Sequence, residues 1–200
     1  MKSSKLLLIL LIVLLGGLSA WSQDKPVTYG PVPAWVLPLQ RAVNSTEKLP
    51  EAEEGALDLL YDRQINLAEK TQYFHRSIKI LTSSGLSNRS RISVSYDPSF
   101  QKIVFHSIQV IREGKLINKL DVKQFKMVQQ ETNLERSLYN GSITAFYLAP
   151  DVRVGDIIDY SYSLQGMNPV FDGRYDDILP LQFAFPLLQL HYRIVRPVHR

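Results

Sequence analysis

The chain has 200 residues, a formal net charge of +4, 45% hydrophobic and 21% charged residues, ten Tyr and no Cys. This is the composition of a folded chain and not of a disordered one, and the lack of Cys excludes disulfides, thiolate zinc sites, lipidated cysteine anchors and cysteine nucleophiles. A charge so close to balance gives no strong reason to seek nucleic acid or an anionic membrane face.

Lys2 and Lys5 precede the apolar stretch Leu6 to Leu15, and the small residues Gly16, Gly17, Ser19 and Ala20 follow. That order predicts a secretory signal peptide over residues 1–22, with cleavage after Ser22 leaving Gln23 first and cleavage after Ala20 as the alternative. A retained membrane anchor is the competing reading, but the apolar run is shorter than the roughly 20 residues a spanning helix needs. The chain is therefore expected to be exported, to the periplasm or the cell envelope. Loss of Lys2 and Lys5 lowers the charge from +4 to +2, and the remaining length, under about 180 residues, fits one domain.

Residues 23–54 carry Pro26, Pro31, Pro33, Pro38 and Pro50, which exclude a helix and predict an extended lead-in. Trp35, Val36 and Leu37 are expected to dock it onto the domain. Glu51, Glu53, Glu54 and Gly55 mark the boundary, and residues 55–200 form the β-rich domain.

Beyond Gly55 the apolar period is two. Ile92, Val94 and Tyr96 alternate with Arg91, Ser93 and Ser95; Ile158, Tyr160, Tyr162 and Leu164 alternate with Asp159, Ser161 and Ser163; Leu188, Leu190, Tyr192 and Ile194 alternate with Gln189, His191 and Arg193. Each reads as a half-buried strand. Further strands are predicted at Leu57 to Leu67, Tyr73 to Leu81, Ile103 to Arg112, Phe125 to Gln129, Ile143 to Leu148 and Leu181 to Phe185, the first with an amphipathic helix over Leu57 to Lys70 as its alternative. Turn signals separate them at Glu69-Lys70, Ser83-Ser84-Gly85, Asp97-Pro98, Glu113-Gly114-Lys115, Val154-Gly155-Asp156 and Asn168-Pro169. Thr132 and Glu135 have capping-box spacing, and Gly141 can end the single short helical turn they predict. The fold class is all-β, mainly antiparallel, with a β-sandwich-like two-layer architecture.

No metalloprotease, phosphate-loop, dinucleotide or nucleophile-elbow motif is present, and no residue is assigned a catalytic, cofactor-binding or metal-binding role. His75, His106, His191 and His199 lack metal-ligand spacing, and the first three read as strand residues satisfied by a neighbour or by water. Asp151, Asp156 and Asp159 surround a turn, which explains them better than glycosidase carboxylates do. Asp172, Asp176 and Asp177 near Gly173 could collect calcium but lack the full calcium-hand pattern. Lys119, Lys123 and Lys126 read as a solvated face, and Tyr139, Phe146, Tyr147, Tyr160 and Tyr162 read as packing more than as sugar-stacking platforms. Asn44, Asn88 and Asn140 open glycosylation sequons that matter only in a host that glycosylates exported chains.

The run Ser95-Tyr96-Asp97-Pro98-Ser99-Phe100-Gln101, with Phe105 to Lys115 after it, resembles the N-terminal domain of exported bacterial transglutaminase-like proteins, domain of unknown function 3857. The resemblance continues through Leu134 to Gly141, Asp151 to Ile158 and Asn168-Pro169-Val170-Phe171. In such proteins the β-rich domain usually precedes a transglutaminase-like, cysteine protease-like module whose Cys, His and Asp carry the chemistry. With no Cys here, that chemistry transfers to no residue of this chain. The resemblance implies a truncated reading frame or a free-standing accessory domain, with truncation favoured. The leading expectation is a non-catalytic accessory domain contacting a protein partner or a transglutaminase-like module. A glycan- or lipid-binding module of the envelope is the alternative, and a Ser- or Asp-based hydrolase has only the presence of those residues behind it.

Overall fold

A computed structural model describes residues 27–41, 55–129 and 141–196. The proposed signal peptide, most of the helical turn expected at Thr132 to Gly141, Tyr139, His199, Asn44 and Asn140 lie outside the described residues.

The strands are β1 (Val27–Tyr29), β2 (Ala56–Asn66), β3 (Thr71–Ile80), β4 (Arg91–Tyr96), β5 (Lys102–Arg112), β6 (Lys115–Asn118), β7 (Lys126–Gln129), β8 (Ile143–Leu148), β9 (Ile157–Gln165) and β10 (Leu190–Val195). They form a seven-stranded sheet in the order β1-β5-β9-β3-β2-β10, with β6 also on β5, and a three-stranded sheet in the order β4-β8-β7. Pairing is antiparallel except at β1 with β5 and β10 with β2, which are parallel. The all-β two-layer reading agrees with this architecture.

Period-two side chains build the core between the layers. Ile78, Ile158, Tyr160, Leu164, Ile103, Phe105 and Ile108 come from the large sheet, and Ile92, Val94, Tyr96, Ala145 and Tyr147 from the small one. A row of rings ties the two together. Tyr147 of β8 meets Phe125 at 4.8 Å between centroids, Phe125 meets Phe105 of β5 at 4.6 Å, Phe105 meets Tyr162 of β9 at 5.4 Å, and Tyr162 stacks on Phe74 of β3 at 4.9 Å. Such tilted and offset pairs add roughly 0.5–1.5 kcal/mol each beyond area burial.

β5 keeps its apolar side inward by a bulge. The register to β9 shifts between Phe105 and Ser107, so inward residues change from Ile103 and Phe105 to Ile108 and Val110, all fully buried. A second shift, between Asp58 and Leu60 against β3, lets Ala56 to Leu60 be buried as an unbroken run.

Four local expectations change. Ser83-Ser84-Gly85 opens a helix, α1 (Ser83–Arg89), and is not a simple turn, because the Thr82 hydroxyl caps it by accepting from Gly85 N at 3.3 Å. Gly85 is required there: a Cβ would lie 1.9 Å from the Gly55 carbonyl oxygen, which itself accepts from Leu81 N and Thr82 N. Lys115–Asn118 becomes the strand β6, returning along β5 after the Glu113-Gly114 turn. Leu181 to Phe185 is not a strand; Pro180 and Pro186 bracket it, and its rings act as plugs, Phe183 lying 5.3 Å from Tyr61. Val27–Tyr29 in the lead-in pairs along the start of β5.

Two substitutions test this account by urea unfolding. Phe105→Ala, which removes the middle ring of the inter-sheet row, is expected to cost about 3–5 kcal/mol. Gly85→Ala is expected to cost about 2–3 kcal/mol by forcing α1 away from Gly55.

Candidate functional site

Registers place side chains of neighbouring strands on a common face. On the face of the large sheet turned away from the small sheet, Cα partners run His191 to Asp62 to His75 to Ser161 to Ser107 across β10, β2, β3, β9 and β5. Sequence spacing separates these residues, but pairing brings them into one row. His191 Nδ1 donates to Asp62 Oδ1 at 2.8 Å, and His75 Nε2 donates to Asp159 Oδ1 at 3.0 Å. Ser107 and Ser161 hydroxyls lie 2.8 Å apart.

Gln64 locks this row to the lead-in. It is fully buried, and its Nε2 donates to Asp62 Oδ2 at 2.9 Å and to the Leu37 carbonyl at 2.7 Å. Its Oε1 accepts from Leu37 N at 2.9 Å and Arg193 Nη1 at 3.2 Å, so both ends of the amide are satisfied. Arg193 Nη1 also donates to the Trp35 carbonyl at 2.7 Å, and Arg41 lies 3.7 Å from Asp159. The lead-in thus docks chiefly through its main chain; Val36 is buried while Leu37 is exposed.

His106, the extra residue of the β5 bulge, is gripped from both sides. Its Nδ1 lies 3.0 Å from the Gly30 carbonyl and its Nε2 2.8 Å from Ser163 Oγ. Burial lowers its pKa from the usual 6.5, against the opposing pull of the Gly30 and Pro31 carbonyls, so the neutral ring donates to Gly30 and accepts the Ser163 hydroxyl. This is a serine–histidine pair, yet Ser163 is fully buried and the far ring nitrogen meets a carbonyl where a triad has a carboxylate. Burial first, with the nearby Asp62 and Asp159 charges, pushes Tyr73, stacked on His106 at 5.8 Å, up to about 12.

The other acids are tied to arginines. Arg112 donates through Nε and Nη2 to Asp156 at 2.9 and 2.8 Å and also reaches Asp151; hydrogen bonding from Arg112 holds the Asp156 pKa below its usual value. Asp156 further accepts from Arg153 N, so Asp151 and Asp156 brace the turn into β9, whereas Asp159 lies inside that strand on His75. Asp177 bonds Arg63 and Tyr175, while Asp172 takes a left-handed conformation closing the short turn at Pro169–Phe171. Among the described residues no His, Asp or Glu side chains gather in threes fit for a metal ion.

Asp58, fully buried beside the β2 bulge, accepts from both Arg76 Nη2, at 2.6 Å, and Arg89 Nη2. Phe185 lies under both guanidiniums, with Cζ to centroid distances of 5.6 and 4.6 Å. Sequence reading passed over Asp58, Asp62, Gln64, Arg76, Arg89 and Arg193. The available signal was Asp58 and Asp62, four apart in a strand that opens with a run of apolar residues, which a buried strand tolerates only with partners. Tyr147 and Tyr160 are buried and Tyr162 is half-buried in the core, so none of these three offers an open face to a sugar. Lys123 and Lys126 instead flank a groove of about 660 Å³ on the outward face of the small sheet, with Arg91, Phe125, Val128, Phe146 and Leu148; the Lys119 carbonyl accepts the Tyr147 hydroxyl.

The described residues therefore define a two-sheet β domain in which Asp62 and Asp159 are paired with histidines and Asp58 and Asp156 with arginines. The family model for a domain of unknown function with a solved structure, DUF3857, matches residues 68–200. The chain belongs to that family. It is also similar to a crystal structure from Parabacteroides distasonis described as a "putative protease", at 18% identity and a TM-score of 0.48, over 56% of this chain. The match spans 23% of that protein. No curated protein matches.

The depressed His106 pKa sets a direction for stability against pH. Unfolded chains take up the proton near pH 6.5 and the folded one resists it, so its contribution is full above that value and is lost as pH falls toward the folded pKa, at no more than about 1.4 kcal/mol per pH unit. Urea midpoints at pH 7.5 and 5.5 are expected to differ less in His106→Gln than in the wild-type chain.

Proposed function

We propose that this chain is an exported, non-catalytic accessory domain that holds a protein partner, of the kind that precedes a transglutaminase-like module. The observation that carries the reading is the outer margin of β10. Among the described strands β10 has a neighbour only on the β2 side, and Ile194, Val170, Phe171, Ile178 and Leu181 in the same stretch of chain are exposed at 51, 81, 49, 87 and 79%. A parallel edge strand with unpaired backbone groups and nearby apolar side chains is a template for another chain.

Two further features support it. The family chemistry needs a thiolate, and the sequence has no Cys. Export is supported by the charge, apolar and small-residue order of residues 1–22.

Expression in a Gram-negative host followed by fractionation tests the address: a periplasmic chain beginning at Gln23 is expected, and a full-length cytoplasmic chain overturns it. For the partner role, calorimetry of the purified chain with a transglutaminase-like module from the same genome is expected to give saturable binding. Ile194→Lys should weaken it at least tenfold, about 1.4 kcal/mol, with the unfolding midpoint unchanged.

A second reading, contact with anionic lipid, is favoured by the groove where Arg91, Lys123 and Lys126 flank Phe146, Val128 and Leu148. Phosphatidylglycerol vesicles that sediment the wild-type chain but not Lys126→Glu would favour it over protein contact.

A further inference from the structure

The groove on the outward face of the small sheet has a chemistry that follows from strand register. β8 runs between β4 and β7, and its residues Phe146 and Leu148 form an apolar strip along the groove. Lys126 of β7 is the Cα partner of Phe146, and Arg91 of β4 is the Cα partner of Leu148, so the strip has a cation on each flank. Lys123, in the short turn Val122–Gln124 before β7, adds a third. We propose that this groove, of about 660 Å³, binds a single-chain amphiphile: one extended apolar tail with an anionic head, a carboxylate or a phosphoryl group.

Charge sets the sign of the head. No carboxylate lines the groove, and among the described residues Arg91, Lys123 and Lys126 enter no ion pair. Asp121, the acid of the adjoining turn, is committed to that turn: it accepts from Lys123 N at 3.0 Å and from Gln124 Nε2 at 3.2 Å. Burial sets the form of the tail. Phe125 is held from the core side by Phe105 and Tyr147, at 4.6 and 4.8 Å between centroids, and the Arg91 guanidinium lies over Phe146, 5.0 Å from its centroid. Both rings are half-buried, so they form a floor with charge above it, and a flat bilayer would have to displace Arg91 to reach Phe146. A single chain can instead lie along Val128 and Leu148, exposed at 46 and 65%, and remove them from water. Concavities of this size, mostly apolar with a few placed polar groups, suit one small ligand.

Such a ligand rests on the anionic-lipid reading of this groove, but it needs one dissolved molecule and no membrane surface. The test titrates the ¹⁵N-labelled chain with octanoate and decanoate in one arm and octyl and decyl phosphate in the other, all as monomers, with decyl maltoside as the uncharged control. Saturable shifts at the Val128, Phe146 and Leu148 amides, with a decyl-chain Kd at or below about 1 mM, are expected in at least one anionic arm. The decyl member should bind at least about fourfold tighter than the octyl one, the gain from two methylenes half removed from water. Decanoate alone assigns a carboxylate head, decyl phosphate alone a phosphoryl head, and both a general anionic head. Lys126→Glu, an exposed change, should weaken binding at least about fivefold, and Leu148→Ser about threefold, with unfolding midpoints unchanged. Lys115→Glu on β6, which lines no part of the groove, should leave affinity within about twofold. Sedimentation with phosphatidylglycerol vesicles separates the two readings. Monomer binding without sedimentation supports the site and removes the membrane surface, whereas sedimentation without monomer binding overturns the site and leaves the surface reading. Affinity that does not rise from octyl to decyl, decyl maltoside binding as tightly as the anions, or equal losses in Lys115→Glu and Lys126→Glu also overturn the proposal.

Discussion

A strand that is hydrogen-bonded on both edges and packed on both faces leaves its side chains little water, and β3 and β9 stand in that position, with Tyr73, Ser77, Ser161 and Ser163 buried. Their inner faces meet the small sheet with Ile78, Ile158, Tyr160 and Leu164. Their outer faces carry Tyr73, His75, Ser77, Asp159, Ser161 and Ser163, and a buried polar group left alone costs about 1–3 kcal/mol. The residues around them follow from that constraint. Asp159 takes His75, Asp62 takes His191, Ser161 takes Ser107, and Gln64 spends both ends of its amide on strand and lead-in. Ser77 Oγ is buried without a partner, and we have no physical account of it.

The same constraint governs what the histidines and acids can do. A histidine whose two nitrogens are committed to a carbonyl and a buried hydroxyl is a joint between elements, and His106 joins β1's extension to β9. Arg112 with Asp151 and Asp156 is likewise a brace, closing the turn that delivers β9 to the centre of the sheet. Asp58 does the same at the β2 bulge, where one buried carboxylate accepts from Arg76 of β3 and from Arg89 of α1.

The periodic part of the fold was legible from residue order. Arg91–Tyr96 matches its alternation residue for residue, Ile143–Leu148 forms with the expected bounds, and Ala56–Asn66 is the strand and not the helix, since both the apolar run and its two acids are accommodated by pairing on each edge. The misses are places where local chemistry yields to tertiary context. Ser83-Ser84-Gly85 reads as a turn until Gly55 packs against Gly85, and Leu181 to Phe185 reads as a strand until its rings find Tyr61 and the arginines. The Asp58 cluster was invisible because Arg76 and Arg89 come from a strand and a helix end. No spacing rule joins them, and the register shift in β2 falls at Asp58, the carboxylate to which both donate.

The parallel margin of the large sheet carries a kinetic consequence. β10 closes on β2 from a position 129 residues later in the chain, and the β1 contact to β5 spans 75 residues. Ribosomal order therefore makes β2 wait, its outer backbone groups unmatched, until nearly all of the described chain has emerged. High contact order slows such closure, and a waiting apolar strand invites the wrong neighbour. Until β10 arrives, the Ala56–Asn66 margin is thus the part of this sheet most open to pairing with another chain.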